Sequence, residues 1–425
     1  MLRLRQHDAD RRPMGMHRSA GTAARSIDRT EFPTSPAAPS LAPANSPAVT
    51  HLESLGEARS RWLQLQAAGI YGHYQRFDWL EAWHVHVGSA LGVRPLVIVG
   101  EDASGPAMIL PLALNRRGGA TVLEWMGWQQ GNQNTGLWRA DAYAAADPVE
   151  LSRLLLRTAR QASASLVDLR NIPLTWEGRQ HPLAHKGTPA KDTVFRGTVA
   201  EPFATLRTRL QSKDSRKKDA RKQKALEALP GFAIRTLETA AEIEAGLDTL
   251  ISQRQERARQ TGIPSGFFAP GQRAFLRKLL LEGAGKPFPA LQIKVLEAEG
   301  EVLAAYLSGL SGNTCYAYAN SIGTGSHAQF SPGIVLLSSL IAACCENPAI
   351  RTLDLGLGDE RYKHPWTQPE PLCDLVLAAD MRGRLIRLVL DVRRTVLRRL
   401  RQTPALWAGV RAVRRFAAAL RRLKG

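Results

Sequence analysis

Between Leu353 and Trp366 the chain reads LDLGLGDERYKHPW. An apolar, strand-like run with one acid inside it, Asp354, opens into a glycine, two carboxylates, an arginine, a tyrosine, a lysine and a histidine. Asp354 or Asp359 could take a proton from an amine or hydroxyl nucleophile. The Tyr362 hydroxyl could give one to a leaving thiolate, and Lys363 could hold a phosphate or pair with Asp359. These roles are interchangeable on sequence alone, and a solvated strand end accounts for the same residues equally well. Just upstream stands FSPGIVLLSSLIAACCE, residues 330–346. Ser331 suits a helix N-cap and Pro332 the first helical position. Gly333 has no side chain to block an approaching ligand. The amides of Gly333, Ile334 and Val335 would then leave the helix start unpaired, with the helix dipole behind them, as a pyrophosphate requires. A capped core helix without a ligand explains the same residues.

Weaker signals surround these two. The polar loop WQQGNQNTG could hydrogen-bond a sugar through Gln130, Asn132 and Asn134, or be an ordinary exposed loop. Tyr318, on the strand leading to the Ser-Pro-Gly helix, is grouped with them as a substrate contact. His181 and His185 have metal spacing, but Pro182 lies between them and no third ligand is near, so no metal is expected. His84 and His86 fall on opposite sides of a helix. Phe77, Trp79 and Trp83 read as core. Lys213 to Lys224 interleaves seven bases with Asp214 and Asp219, a solvated helix face first and a phosphate contact second.

The elements that must position these residues come in two runs. Residues 1–48, rich in Arg, Ser, Ala, Thr and Pro, are expected to be disordered. A unit over 55–198 reads as helix, two strands turning at Gly105, a third strand, the polar loop, a helix and a strand. A unit over 199–378 opens with one long charged helix and repeats that order, with Gly300 at the equivalent turn. A weak internal duplication is expected, and with it an α/β fold of two mixed sheets flanked by helices.

The Ser-Pro-Gly helix followed by a strand and GDERYKHPW resembles the acetyltransferase family associated with cellulose biosynthesis (CelD/BcsL-like), within the GNAT superfamily. FDWLEAW, KDSRKKDARKQKALEAL and SGFFAPGQRAFLRKLL agree with it, so the resemblance spans about residues 71–366. It implies two fused GNAT-like units, the second (199–378) binding acetyl-CoA or another acyl-CoA as co-substrate. It carries Ser331, Gly333, Asp354, Gly358, Asp359, Tyr362 and Lys363 over as site residues, and a saccharide or envelope precursor as the favoured acceptor. The usual GNAT pyrophosphate loop is missing, and SHAQFSPG stands in its place. Two other readings are kept open: a Fem-type transferase using aminoacyl-tRNA, and a non-catalytic scaffold at a polysaccharide assembly.

The formal charge is +19, which calls for anionic partners. Residues 382–425 hold fourteen Lys/Arg and one acid, Asp391, so they carry +13 of it. Leu385, Ile386, Leu388, Val389, Val392, Val396, Leu397 and Leu400, then Leu406, Trp407, Val410, Val413, Phe416 and Leu420 beyond Pro404, recur at helical spacing. A basic amphipathic helical tail fits an anionic membrane surface, with nucleic acid the lesser candidate. Without an apolar run near 18 residues or a signal-like start, a cytoplasmic protein is expected, peripheral at the inner face of the membrane.

Overall fold

The computed structural model describes residues 47–261 and 266–402. Nearly all of the segment expected to be disordered lies outside them, as does the end of the tail with Trp407 and Phe416. In chain order the main elements are β1 (Ala48–Leu52), α1 (Leu55–Ala68), α2 (Phe77–Trp83), β2 (Arg94–Asp102), β3 (Gly105–Arg117), β4 (Ala120–Trp125), α3 (Pro148–Gln161), β5 (Leu166–Pro173) and β6 (Val194–Thr198). There follow α4 (Phe203–Leu210), α5 (Lys213–Glu227), β7 (Ala233–Thr236), α6 (Ala240–Thr261), α7 (Gln272–Gly283), β8 (Gln292–Ala298), β9 (Glu301–Ser311), β10 (Thr314–Ile322), α8 (Pro332–Glu346), β11 (Thr352–Leu357), β12 (Leu372–Ala378) and α9 (Met381–Gln402).

Two mixed sheets repeat one plan. The first runs β1-β2-β3-β4-β5-β12 and the second β7-β8-β9-β10-β11-β6. In each, four antiparallel strands lead to a parallel pair, β4 with β5 and β10 with β11, joined over a crossover helix, α3 or α8. Gly105 and Gly300 turn the matching hairpins with φ of +100° and +77°, a conformation closed to most side chains. The strand beyond each parallel pair comes from the other half of the chain, and short strands at Thr188–Pro189 and Gln368–Glu370 then end the two sheets. β6 follows the first sheet's strands but pairs with β11, and β12 follows β11 but pairs antiparallel with β5. Each sheet is thus extended by a strand exchanged across the molecule.

Packing follows from apolar faces. The α1 and α2 side chains Trp62, Leu65, Phe77 and Trp79 meet Leu247, Phe275 and Leu276 of α6 and α7 in a core shared by the two sheets. α3 covers the far face of the first sheet through Leu151, Leu154 and Leu155. α8 covers that of the second through Leu336, Leu337, Leu340 and Ile341, with α4 and α5 adding Leu206 and Leu226. Among the described side chains of α9, Ile386 and Leu390 rest on Val122, Leu166 and Val376.

Local chemistry explains where the sequence reading and the structure part. The expected single charged helix is two, because Ser212 turns its hydroxyl to the Ser215 amide (3.2 Å) and starts α5 afresh. Ordered structure begins before Leu55, since β1 pairs with β2 from Ala48 onward. Phe77, Trp79 and Trp83 are core, each at most 2% exposed.

Candidate active site

β10 and β11 pair in parallel only from Thr314/Thr352 to Tyr316/Asp354. Past that point β10 stays with β9 to Ile322 and β11 stays with β6 to Leu357, so the two strands part. The opening lies at the carboxyl ends of two parallel strands, where open α/β sheets bind ligands. β4 and β5 part in the same way after Glu124/Asp168.

Asp354 sits at the root of the opening, fully buried. Its Oδ1 accepts the Gly356 amide (2.8 Å) and its Oδ2 the side-chain amide of Gln133 (2.6 Å), while the Arg196 Nε of β6 stands 3.6 Å from Oδ2. Burial pushes this carboxyl up to about 6 against the opposing pull of Arg196. Such a group is ionised at neutral pH yet basic enough to take a proton. Gln133 belongs to the polar loop of the first half, and its neighbour Asn132 fills the place a side chain at Gly356 would need. A Cβ there would stand 2.6 Å from Asn132 Nδ2, and φ is +72°. Asn132 in turn donates to the Tyr74 hydroxyl (2.7 Å). The same loop enters the other opening, where the Asn134 amide donates to the Asn171 carbonyl (2.9 Å).

The α8 start is built differently from its sequence reading. Ser331 does precede Pro332, but it is left-handed (φ 53°, ψ 58°) and its hydroxyl caps nothing. Instead Lys222 of α5 donates to Ser331 Oγ (2.9 Å), which sets an ammonium at the positive end of the helix. The Ile334 and Val335 amides both turn to the Ser331 carbonyl (2.9 and 3.4 Å), so of the three amides expected to be unpaired only that of the buried Gly333 is not turned back. Gly333 packs against Ile322, whose side chain would lie 2.7 Å from an added Cβ. Tyr362 shares the packing cluster of Phe330 and α8. Burial, with Glu360 adding to it, holds its phenol at about 12, and its hydroxyl shares a hydrogen bond with that of Tyr306. On the other face Arg254 of α6 donates to the Asn320 carbonyl on the parted stretch of β10 (2.6 Å).

Lys363 is 2% exposed, and its ammonium is spent on the Gly356, Leu357 and Gly358 carbonyls (3.3, 2.6 and 3.1 Å) and Glu360 (2.7 Å). It ties down the turn after β11 and has no donor left for a phosphate. Asp359 is 78% exposed and bonds His364 (2.6 Å). Gln130 accepts from Trp83 Nε1 (2.7 Å), and Asn134 is held by Gln75 and the Arg170 carbonyl. Tyr318 lies on the parted stretch of β10, against Tyr74, Trp79 and Phe267. The structure therefore gathers Asp354 and Asn132 at the root, Tyr318 along the edge, and Ser331 and Gly333 at the α8 start, with Tyr362 in the packing cluster that α8 shares. Gln133, Arg196, Lys222 and Arg254 were not read from sequence, though Lys222 lay in a basic run already noted. His181 spends both ring nitrogens on the Thr135 carbonyl and the Leu183 amide.

Residues 213–364 match the family model of an acetyltransferase (GNAT) domain. No curated protein matches the chain. Among solved structures, FemX is similar over 78% of this chain and 97% of its own, at 10% identity and a TM-score of 0.52. L-PGS from Bacillus licheniformis is similar over 74% and 95%, at 14% and 0.44. A tandem GNAT protein from the clavulanic acid biosynthesis pathway is similar over 78% and 99%, at 11% and 0.42. Identities this low speak of fold alone, and among these three only the FemX likeness is close enough to do so. Residues 213–364, the stretch that holds α5, β10, α8 and β11, are thus similar to an acetyltransferase (GNAT) domain.

Proposed function

We propose that the protein is an acyl-CoA-dependent N- or O-acyltransferase whose donor lies in the opening between β10 and β11. The observation that carries this is the Lys222 ammonium held 2.9 Å from Ser331 Oγ at the start of α8, where the Gly333 amide is not turned back on the helix. Together they offer a charge and a backbone donor to a pyrophosphate. An amine or hydroxyl attacks the thioester carbonyl, the new C–N or C–O bond forms, and the C–S bond breaks. The nucleophile's proton passes to Asp354 directly or through water, and Tyr362, neutral at pH 7, protonates the departing thiolate. The acceptor we favour is a saccharide or an envelope or exopolysaccharide precursor, as the CelD/BcsL-like resemblance implies, used at the inner face of a membrane.

A second reading takes aminoacyl-tRNA as donor. It is supported by the fold likeness to FemX and by the exposed cations Lys213, Lys217, Lys218, Arg221 and Lys224 along α5. Calorimetric titration of the purified protein with CoA, acetyl-CoA and bulk tRNA separates the two. The CoA reading requires that Lys222→Glu weaken CoA binding at least tenfold while the melting temperature holds. Undiminished CoA affinity, or retention of tRNA with none for CoA, would overturn it.

A further inference from the structure

The described apolar side chains of α9 divide into a strip that docks on the body of the protein and a face that does not. Ile386 and Leu390 rest on Val122, Leu166 and Val376. Met381, Leu385, Leu388, Val389, Val392 and Val396 are each at least half exposed. Their spacing of 4, 3, 1, 3 and 4 puts all six on one face of the helix, turned away from the strip that docks. Arginines flank this face: Arg382 and Arg393 on the side of the docked strip, Arg384 and Arg387 on the other. Beside it a groove of about 390 Å³ is walled by Leu156, Leu377 and Leu388, with Arg384, Arg387 and Asp391 at its rim. Arg387 Nε is 3.7 Å from Asp391, and Arg384 Nη1 is 3.5 Å from the Met381 sulfur.

We propose that this outward face of α9 docks on an anionic phospholipid surface, its leucines and valines entering the interface and its arginines meeting lipid phosphates. The inference stands apart from the acyl donor. Charge decides between occupants. Residues 403–425 could fold back on the apolar face, but they hold six Lys/Arg and no acid, while α9 holds eight Arg and one Asp. Self-cover, or cover by a second copy, would crowd like charges around a dry contact. An anionic bilayer satisfies the apolar face and the charge together. No described helix is long and apolar enough to cross a membrane, so the contact lies in the plane of the interface.

The test is flotation of the full-length protein with phosphatidylcholine vesicles, with and without about one-third phosphatidylglycerol, at about 0.1 and 0.5 M salt. The expected result is binding only to the anionic vesicles, reduced severalfold by the higher salt. Leu388→Asp with Val392→Asp should cut it at least tenfold at an unchanged melting temperature. Arg384→Glu with Arg387→Glu is a second variant that leaves the apolar face intact and should give the same loss. The proposal is overturned by equal binding to neutral vesicles, by undiminished binding of both variants, or by a wild type that ignores vesicles. In that last case, self-association lost in the aspartate variant would assign the face to a second copy. Salt-sensitive RNA binding would assign the charge to nucleic acid.

Discussion

Replacing Asp354 by Asn removes the charge while keeping the shape and an oxygen that accepts from Gly356 or Gln133. The carboxyl is raised in the folded protein from an ordinary 3.8 to about 6, burial being the chief cause. Two units at about 1.4 kcal/mol each make the ionised form cost the fold about 3 kcal/mol at pH 7.5. The sign follows from proton uptake. Between pH 6 and 4 the folded state binds a proton that the unfolded state does not, so this penalty is complete above about pH 6 and gone below about pH 4. Asn mimics the neutral acid at every pH. Asp354→Asn should therefore be more stable than wild type by about 1–3 kcal/mol at pH 7.5 and equally stable at pH 4, read by urea unfolding followed on the buried tryptophans. Its acetyl-CoA turnover, followed by thiol release, should fall about 10²-fold or more. A loss of stability at pH 7.5, or the same change at both pH values, would refute the reasoning and make Asp354 a paired structural anion.

Other substitutions divide chemistry from scaffolding. Tyr362→Phe should lower turnover about 10²-fold with little change in CoA affinity, whereas Asp359→Asn, which breaks only a surface contact with His364, should stay within about twofold. Lys363→Met strands three buried carbonyls and should cost about 2–4 kcal/mol in denaturant unfolding. Gln133→Leu removes a donor to the Asp354 anion, so the acid limb of the pH–rate profile should move upward. An unmoved limb would separate Gln133 from the chemistry.

The local parts of this architecture were legible because local rules make them. Pro332 opens α8 where the Ser-Pro-Gly triplet placed it, and Gly105 and Gly300 turn their hairpins because few other residues accept those angles. What escaped depends on contacts far along the chain. Asp354 meets Gln133 across 221 residues, and Ser331 meets Lys222 across 109. Neither spacing leaves a periodic trace. Lys363 looked like a ligand group because its type is charged, yet the turn after β11 curls its own carbonyls around the ammonium. β6 and β12 were hidden for another reason: five and seven residues beside strong motifs carry little pattern of their own. Their pairing partners lie in the opposite half.

The exchange of β6 and β12 has a consequence for how this chain is made. As it emerges from the ribosome, residues 48–173 can assemble most of the first sheet, but the open edge of β5 waits for residues 372–378. For some two hundred residues of synthesis that edge presents unpaired amides and carbonyls, the template on which another chain can add. The nascent protein thus passes through a long stage in which its own second half competes with neighbours for one strand position. A translation stop placed between the two halves would release a protein with an unsatisfied edge rather than a finished domain, and slow synthesis through residues 199–371 should raise the yield of aggregate.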